Sequence, residues 1–436
     1  MNFDFDKTTL DVDSKQVLDD TARTLRDTPD LGLQIEGYTD STGDPAHNAD
    51  LAKTRAKAVK RYLVEQGVEE DRLATKGLGE ADPVASNESE ETRAQNRRVE
   101  LRVVEPFAVV RVFYGTDRRD EAKSEGVPIY GGDRGASEVQ YGVADVSIPR
   151  DHQMGNIERP SIWRFEVREN PEKHVVILKV ERENESAFFQ GLSSRVANSQ
   201  SKSAFVFVHG YNVSFPDALR RTAQLSYDLG FDGAPILYSW PSKGATLAYT
   251  WDENNIDWTV PHLRTFLEQV AKRSGASTVH LIAHSMGNRA LTRAFAEIVR
   301  DRPPSERAMF KDLVLTAPDI DADLFRSQIV PAIVGKNTRV TLYASSRDKA
   351  LFLSHGIHEY SRAGDAGTGI VVVDGMDTID ASAVDTDFLD HSYFGDSRSV
   401  ITDLFGLITN QTEPAKRPGL MQVRRSDGLS YWAFRP

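Results

Sequence analysis

A chain of 436 residues exceeds what one hydrophobic core usually organises, so its length predicts two domains, or one large domain with an appendage. With 39% hydrophobic and 27% charged residues it is neither a disordered tail nor an integral membrane protein, and no apolar run of about 18 residues occurs. The 53 Lys and Arg against 65 Asp and Glu, a net charge of -12, argue against a nucleic-acid binder, and the lack of cysteine excludes disulfides, thiolate catalysis and Cys-ligated metal centres.

The acidity is concentrated at the start: residues 1–105 carry a net charge of -8, and residues 106–436 one of -4. The opening MNFDFDKTTL has acidic residues where a signal peptide carries Lys or Arg, and no apolar h-region follows, so nothing in the sequence as written directs export. This first quarter reads βαβαββ. A strand at Phe3–Phe5 is followed by an amphipathic helix over Ser14–Arg26 and a strand over Leu31–Tyr38 with Leu31, Leu33 and Ile35 alternating. A second helix over Asp50–Gln66 carries Ala52, Ala56, Val59 and Leu63 on one stripe and stops at Gly67. Strands at Arg72–Gly77 and Val99–Val103 complete the unit.

After Pro106 the pattern changes to short apolar runs of the kind buried in parallel sheets, alternating with helices. Strands are expected at Val109–Tyr114, Tyr141–Ile148, Val175–Val180, Phe205–Val208, Ile236–Ser239, Val279–Ala283, Leu313–Leu315, Val340–Tyr343 and Ile370–Val373. Helices are expected at Pro216–Leu229, Pro261–Ser274, Arg289–Arg300 and Ala322–Ile329, with a helix and loop over residues 181–203. The stretch after Asp396 carries no assignment. The reading is α/β throughout: a small domain over residues 1–105, and a larger one over 106–436 with a mostly parallel central sheet.

Within the larger domain, Val279-His-Leu-Ile-Ala-His-Ser285-Met-Gly-Asn-Arg289 is an apolar strand running through a tight turn into a helix. A turn that holds its central serine strained and exposed needs small residues two before and two after it, and Ala283 and Gly287 meet that need. About 75 positions earlier, the strand Phe205–Val208 ends in His209-Gly210-Tyr211-Asn212, where a hydrolase places a loop whose backbone binds the tetrahedral oxyanion. The expected donors are the N–H groups of Met286 and Tyr211. A serine nucleophile needs a base, and the base needs an acid, at later strand ends in the order Ser, acid, His. His391 is the expected base. Asp348, after the strand Val340–Tyr343, is the expected acid, with Asp319 as the alternative. His209 and His284 are expected to pack or support.

With HGYN at 209–212, SWPS at 239–242, AHSMGN at 283–288, APD at 317–319, SSRD at 345–348 and HSYF at 391–394, residues 106–400 resemble an uncharacterised bacterial α/β-hydrolase family. The resemblance implies a serine hydrolase, without supplying a substrate.

In the small domain a strand ends at Asp40 in a Gly-bearing loop, and the next helix carries Asn48 and Arg55, seven apart and so on nearly one line. A carboxylate and a guanidinium facing one cleft suit a zwitterion; an intramolecular Asp40–Arg55 salt bridge is the plainer reading of the same spacing. Phe3–Asp6, Gly37-Tyr-Thr-Asp40, Asn48…Leu51…Arg55-Ala56, Gly77–Glu80 and Asn96–Glu100 are together similar to the OmpA-like peptidoglycan-binding domain, with Tyr38 where that family often has His. That resemblance implies that Asp40 and Arg55 hold the free amino-acid end of a diaminopimelate stem peptide, with Thr39 and Asn48 in support and Asp6 and Arg97 alongside. It also implies a periplasmic, peptidoglycan-associated protein whose leader is cleaved or omitted here.

The combined expectation is a cell-wall-tethered serine esterase or acyl hydrolase with peptidoglycan and an acyl substrate as partners, and with no metal, cofactor, nucleic acid or transmembrane segment. The rival expectations are an idle hydrolase-fold scaffold on the wall, and a hydrolase whose substrate is peptidoglycan itself.

Overall fold

A computed structural model describes residues 1–28, 31–104, 107–121, 128–135, 137–161, 168–244, 249–347, 360–367, 369–384 and 398–435. The chain divides into two compact units, Met1–Ala108 and Val109–Pro436.

The first unit is a three-stranded sheet with helices. α1 (Val12–Asp27) is capped by Asp11, whose carboxylate accepts the Ser14 N–H at 2.8 Å, and it buries Leu18, Ala22 and Leu25. β1 (Gly32–Gly37) pairs parallel with β2 (Leu73–Gly77) and antiparallel with β3 (Val99–Val104), giving the order β2-β1-β3. α2 (Pro45–Glu65) starts five residues before the expected Asp50, because Asp44 caps it and Pro45 occupies its first turn. A short α3 (Glu90–Asn96) precedes β3. The expected strand at Phe3–Phe5 is an isolated bridge, Asn2 to Arg98, since the chain turns away at Asp6, which has φ +54°.

The second unit holds an eleven-stranded sheet. Its strands are β4 (Phe107–Thr116), β7 (Gln140–Pro149), β8 (Val176–Glu183), β9 (Ser203–Val208), β10 (Ala234–Ser239), β11 (Thr278–His284), β12 (Phe310–Thr316), β13 (Arg339–Ala344), β14 (Met376–Asp380), β15 (Leu420–Arg424) and β16 (Ser430–Phe434), while β5 (Arg118–Asp120) and β6 (Tyr130–Arg134) form a separate ribbon. The order β15-β16-β14-β13-β12-β11-β9-β10-β4-β7-β8 is parallel from β10 through β9 and β11 to β16. α4 (Glu185–Asn198), α5 (Phe215–Asp228), α6 (Tyr249–Arg273) and α7 (Gly287–Asp301) are the long helices of its first part. From β9 the chain goes to one neighbour, β10, and then back across to the other, β11. The order therefore reverses at β9, and the crevice beyond the carboxyl ends of such strands is where α/β sheets bind ligands.

Two expectations change. Ile370–Val373 is buried but unpaired; after a turn at Gly375 (φ +81°) the sheet strand is Met376–Asp380, whose polar residues hid it. α6 begins twelve residues before the expected Pro261 and carries that proline inside it, because its buried face includes the polar Asp252, Asn255 and Thr259. The stretch after Asp396 supplies a helix, Arg398–Ile408, and the β15–β16 hairpin. It is tied to β13 by the fully buried Asp403, which accepts from Tyr343 at 2.5 Å and Arg417 at 2.7 Å.

One buried ion cluster sets a pH limit on this unit. His152, with a side chain 2% exposed, lies between Glu158 at 2.9 Å and Asp228 at 2.8 Å. Burial alone would lower its pKa, but the two carboxylates override this and raise it from 6.5 to about 9. A raised histidine pKa stabilises fully below the unfolded value and fades as pH rises through the folded one. Thermal stability should therefore decline between pH 6.5 and 9 by up to roughly 3 kcal/mol, and the His152→Gln protein should lack this slope in a melting series across that range.

Candidate functional site

β11 delivers Ser285 at the carboxyl edge of the sheet, beside the point where the strand order reverses. Ser285 has φ +50°, a left-handed conformation that costs a non-glycine residue of order 1 kcal/mol and marks a sharp strand-to-helix elbow. Four bonds hold it there: its N–H donates to Thr316 O at 3.0 Å, and its carbonyl accepts from Asn288 Nδ2 at 2.9 Å and from the N–H groups of Asn288 at 3.1 Å and Asp319 at 3.3 Å. Small residues are required by contact. A Cβ on Gly287 would lie 2.3 Å from His209 O, and one on Gly210 would lie 2.9 Å from Ser285 Cβ. The loop after β9 is thus pressed against the serine. The sequence pattern predicts an exposed serine; Ser285 is strained as expected but fully buried.

Each segment of that loop is pinned. Trp240 Nε1 donates to His209 O at 2.7 Å, and its ring stacks on the His209 imidazole. Asp252, on the buried face of α6, accepts from Asn212 N–H at 3.2 Å, Ser242 Oγ at 2.6 Å and Lys243 N–H at 2.9 Å. Its burial outweighs these donors and raises its pKa. Val213 N–H donates to Ser242 Oγ at 3.2 Å, and Asn212 is left-handed at φ +58°. Burial and the Arg118 guanidinium push the His209 imidazole well below its ordinary value, which keeps it neutral.

Asp319 is 2% exposed and receives the Tyr249 hydroxyl at 2.5 Å, Arg362 Nε at 3.2 Å and Arg289 Nη2 at 3.4 Å. Two guanidiniums on one carboxylate tie it to the structure around the elbow. Asp348 and His391 lie outside the described residues. Met286 immediately follows the serine and caps α7. Arg118, Asp252 and Arg289 were not singled out from sequence. For Asp252 the available signal was a polar residue on the face of α6 that packs inward; Arg118 and Arg289 carry no such local signal. A cavity of about 1030 Å³, lined by residues including Lys311, Arg339, Asp377 and Trp432, opens at the amino ends of β12, β13 and β14, the opposite edge of the sheet from Ser285.

In the first unit, Asp40 is 2% exposed and pairs with Arg97, whose Nη1 donates at 2.9 Å. Burial alone would raise the Asp40 pKa, but Arg97 and the Thr42 N–H, at 2.9 Å, hold it below the usual carboxylate value. The plainer expectation of an Asp40–Arg55 bridge is not realised. Arg55, fully buried, donates to three carbonyls, those of Lys7 at 2.9 Å, Asp4 at 3.0 Å and Tyr38 at 3.1 Å. Burial and the neighbouring Arg97 lower its pKa to about 10. Asn48 Nδ2 donates to the carbonyls of Asp40 and Thr42 at 3.4 and 3.3 Å. The Thr39 hydroxyl is buried with no hydrogen-bond partner among the described residues. Asp6 is exposed and faces His47 Nε2 at 3.2 Å. The fold therefore gathers Asp40, Arg97, Asn48 and Thr42 at the end of β1, with Arg55 nearby. Among the described residues no group of three or more His, Asp or Glu could hold a metal ion, and no helix is long and apolar enough to cross a membrane.

Comparison with known proteins matches residues 2–97 to the OmpA family and residues 184–410 to a family described as alpha/beta hydrolase of unknown function (DUF900). Over the first unit the chain is 44% identical across 102 residues to outer membrane protein A of Bordetella avium, covering 23% of this chain and 53% of that protein. It is 48% identical across 86 residues to the peptidoglycan-binding protein ArfA of Mycobacterium bovis, covering 20% and 26%. The chain thus spans about half or less of these relatives' own length. The crystal structure of the peptidoglycan-associated lipoprotein from Burkholderia pseudomallei aligns at 34% identity over 24% of this chain and 87% of that one, with a TM-score of 0.23. With just over half of its residues matched by that one family, the chain belongs to the alpha/beta hydrolases of unknown function (DUF900), and it carries an OmpA family domain at its N-terminus.

Proposed function

We propose that this protein is a peptidoglycan-associated serine hydrolase of the cell envelope, acting in the periplasm on an ester or similar acyl bond. The observation that carries the reading is Ser285: a left-handed serine at a β11–α7 elbow, at the strand-order reversal, with Gly210 packed against its side chain. In this mechanism Ser285 Oγ attacks the acyl carbon while His391 takes its proton, with Asp348 fixing the imidazole. The N–H groups of Met286 and Tyr211 receive the oxyanion; His391 then returns the proton to the leaving group, and water completes the cycle in the reverse roles. Asp319 is left as an architectural group, since its oxygens already serve Arg289, Arg362 and Tyr249.

The OmpA family domain provides the tether. In this reading Asp40 receives the ammonium and Arg55 the carboxylate of a diaminopimelate side chain, with Thr39 and Asn48 shaping the loop. Arg97 holds Asp40 ionised and oriented, and Asp6 lies at the rim. The match to a protein named for peptidoglycan binding supports this.

The full burial of Ser285 favours a second reading, an idle hydrolase fold serving as a wall-bound scaffold. A fluorophosphonate probe separates the two: the enzyme labels once, at Ser285 by peptide mapping, whereas the scaffold does not label or labels elsewhere. The tether also brings the wall itself within reach as substrate, and mass spectrometry of digested sacculi with and without protein would reveal any acyl or peptide bond removed.

A further inference from the structure

Arg118, at the start of β5, is 1% exposed, and all five of its N–H donors go to neutral acceptors. Nε donates to Ser239 Oγ at 2.8 Å, Nη1 to Ser242 O at 2.8 Å and Gly131 O at 3.0 Å, and Nη2 to Val213 O at 2.7 Å and His209 Nε2 at 3.2 Å. Burying a guanidinium whose direct acceptors are all neutral is expensive: burial lowers its pKa to about 10 even with Asp117, Asp252 and Asp217 acting on it, and a hydrophobic residue would fill the space at lower cost. The acceptors explain the choice, because four of the five come from the last residue of β10 and the loops after β9 and β10.

The contact with His209 has a direction. Its Nδ1 lies 2.8 Å from Gly210 O. A carbonyl only accepts, so Nδ1 carries the proton and Nε2 presents its lone pair to Arg118 and to Ser239 Oγ, 3.1 Å away. The carbonyl of Gly210 and the N–H of Tyr211 belong to one peptide group. No described peptide bond is cis, so the two point to opposite edges of that plane. A donor on the carbonyl withdraws electron density and makes the N–H at the other edge a stronger donor.

We infer that Arg118 is a positioning residue of the oxyanion loop, acting through His209 to fix and polarise the Gly210–Tyr211 peptide whose N–H meets the oxyanion formed at Ser285. This rests on the proposed reading of Tyr211 as an oxyanion donor. The relay runs from the guanidinium to Nε2, through the ring to the Nδ1 proton, and across the peptide to the Tyr211 N–H. Because Arg118 and His209 are buried and hydrogen-bonded before substrate arrives, the peptide they hold needs no reorganisation as charge develops.

Two measurements on the full chain test this. In ¹⁵N-histidine-labelled protein, His209, assigned by its loss in His209→Phe, should remain the neutral Nδ1–H tautomer from pH 5.5 to 8.5, and should lose that fixed state in Arg118→Gln. An imidazole that titrates in this range, or carries its proton on Nε2, overturns the relay. In hydrolysis of p-nitrophenyl acetate, His209→Phe, which keeps a ring against Trp240, should lower kcat at least about tenfold with KM within about threefold, less than the loss from deleting a donor outright. His209→Asn should recover most of kcat, since its Nδ2 can donate where Nδ1 did. A trifluoromethyl ketone, whose bound hemiketal carries an oxyanion, should lose affinity in His209→Phe in proportion to kcat/KM. If Arg118→Gln fails to fold, the His209 pair still decides. Turnover that needs Ser285 but is unchanged in His209→Phe overturns the relay alone; absence of any Ser285-dependent turnover overturns the hydrolase reading, while the tautomer measurement still shows whether the hydrogen-bonded chain exists.

Discussion

Ser285→Ala is expected to abolish ester hydrolysis, with kcat on a p-nitrophenyl ester falling by at least about 10⁴-fold and KM little changed. Removing Oγ deletes the proposed nucleophile without touching the bonds to Thr316, Asn288 and Asp319 that shape the elbow, since these use the backbone of residue 285. Alanine at φ +50° bears the same strain as serine, so the fold and melting temperature should be preserved. This makes the result readable: a folded variant with full activity would rule out Ser285 as the nucleophile. The residual rate should exceed the uncatalysed one, because the Met286 and Tyr211 N–H groups still stabilise an oxyanion when water attacks.

Asp40→Asn is expected to weaken retention on sacculi by roughly tenfold to 100-fold, the worth of one charge-assisted hydrogen bond in a buried site, without unfolding the domain. The substitution is nearly isosteric. It removes the charge that would face an ammonium and leaves Arg97 still bonded to Glu90 and Phe3 O. Asp40→Ala with Arg55→Ala should abolish retention in a pull-down. Because the Asp40 pKa lies below its ordinary 3.8, the carboxylate stays charged and retention should be flat from pH 8 to 5. A pull-down unaffected by the double variant, or a steep loss of retention between pH 7 and 5, would count against the clamp.

How much of this was legible in the sequence depended on distance along the chain. The Ser285 elbow is local: a buried strand, two small residues and an amphipathic helix lie within one continuous segment, so pattern and sterics point to it directly. The helix carrying Arg55 was likewise readable from its stripe of Ala52, Ala56, Val59 and Leu63, all of which are buried. Apolar periodicity misled where a buried face is polar, as in the first half of α6, or where a buried apolar run takes no strand partner, as at Ile370–Val373.

By itself, then, the sequence determined two α/β units, the strand ending at His209, the elbow serine and the composition that leaves catalysis to oxygen and nitrogen nucleophiles. Only the tertiary structure decided the pairings. Spacing favoured Arg55 as the partner of Asp40, but the partner is Arg97, which is 57 positions away and brought close by the antiparallel β1–β3 pairing. It likewise placed Arg118, 91 positions from His209, behind the loop that follows β9, and committed Asp319 to two guanidiniums. Charged groups reach across sheets and loops, and their choice of partner follows from which backbones pack together, which no local period encodes.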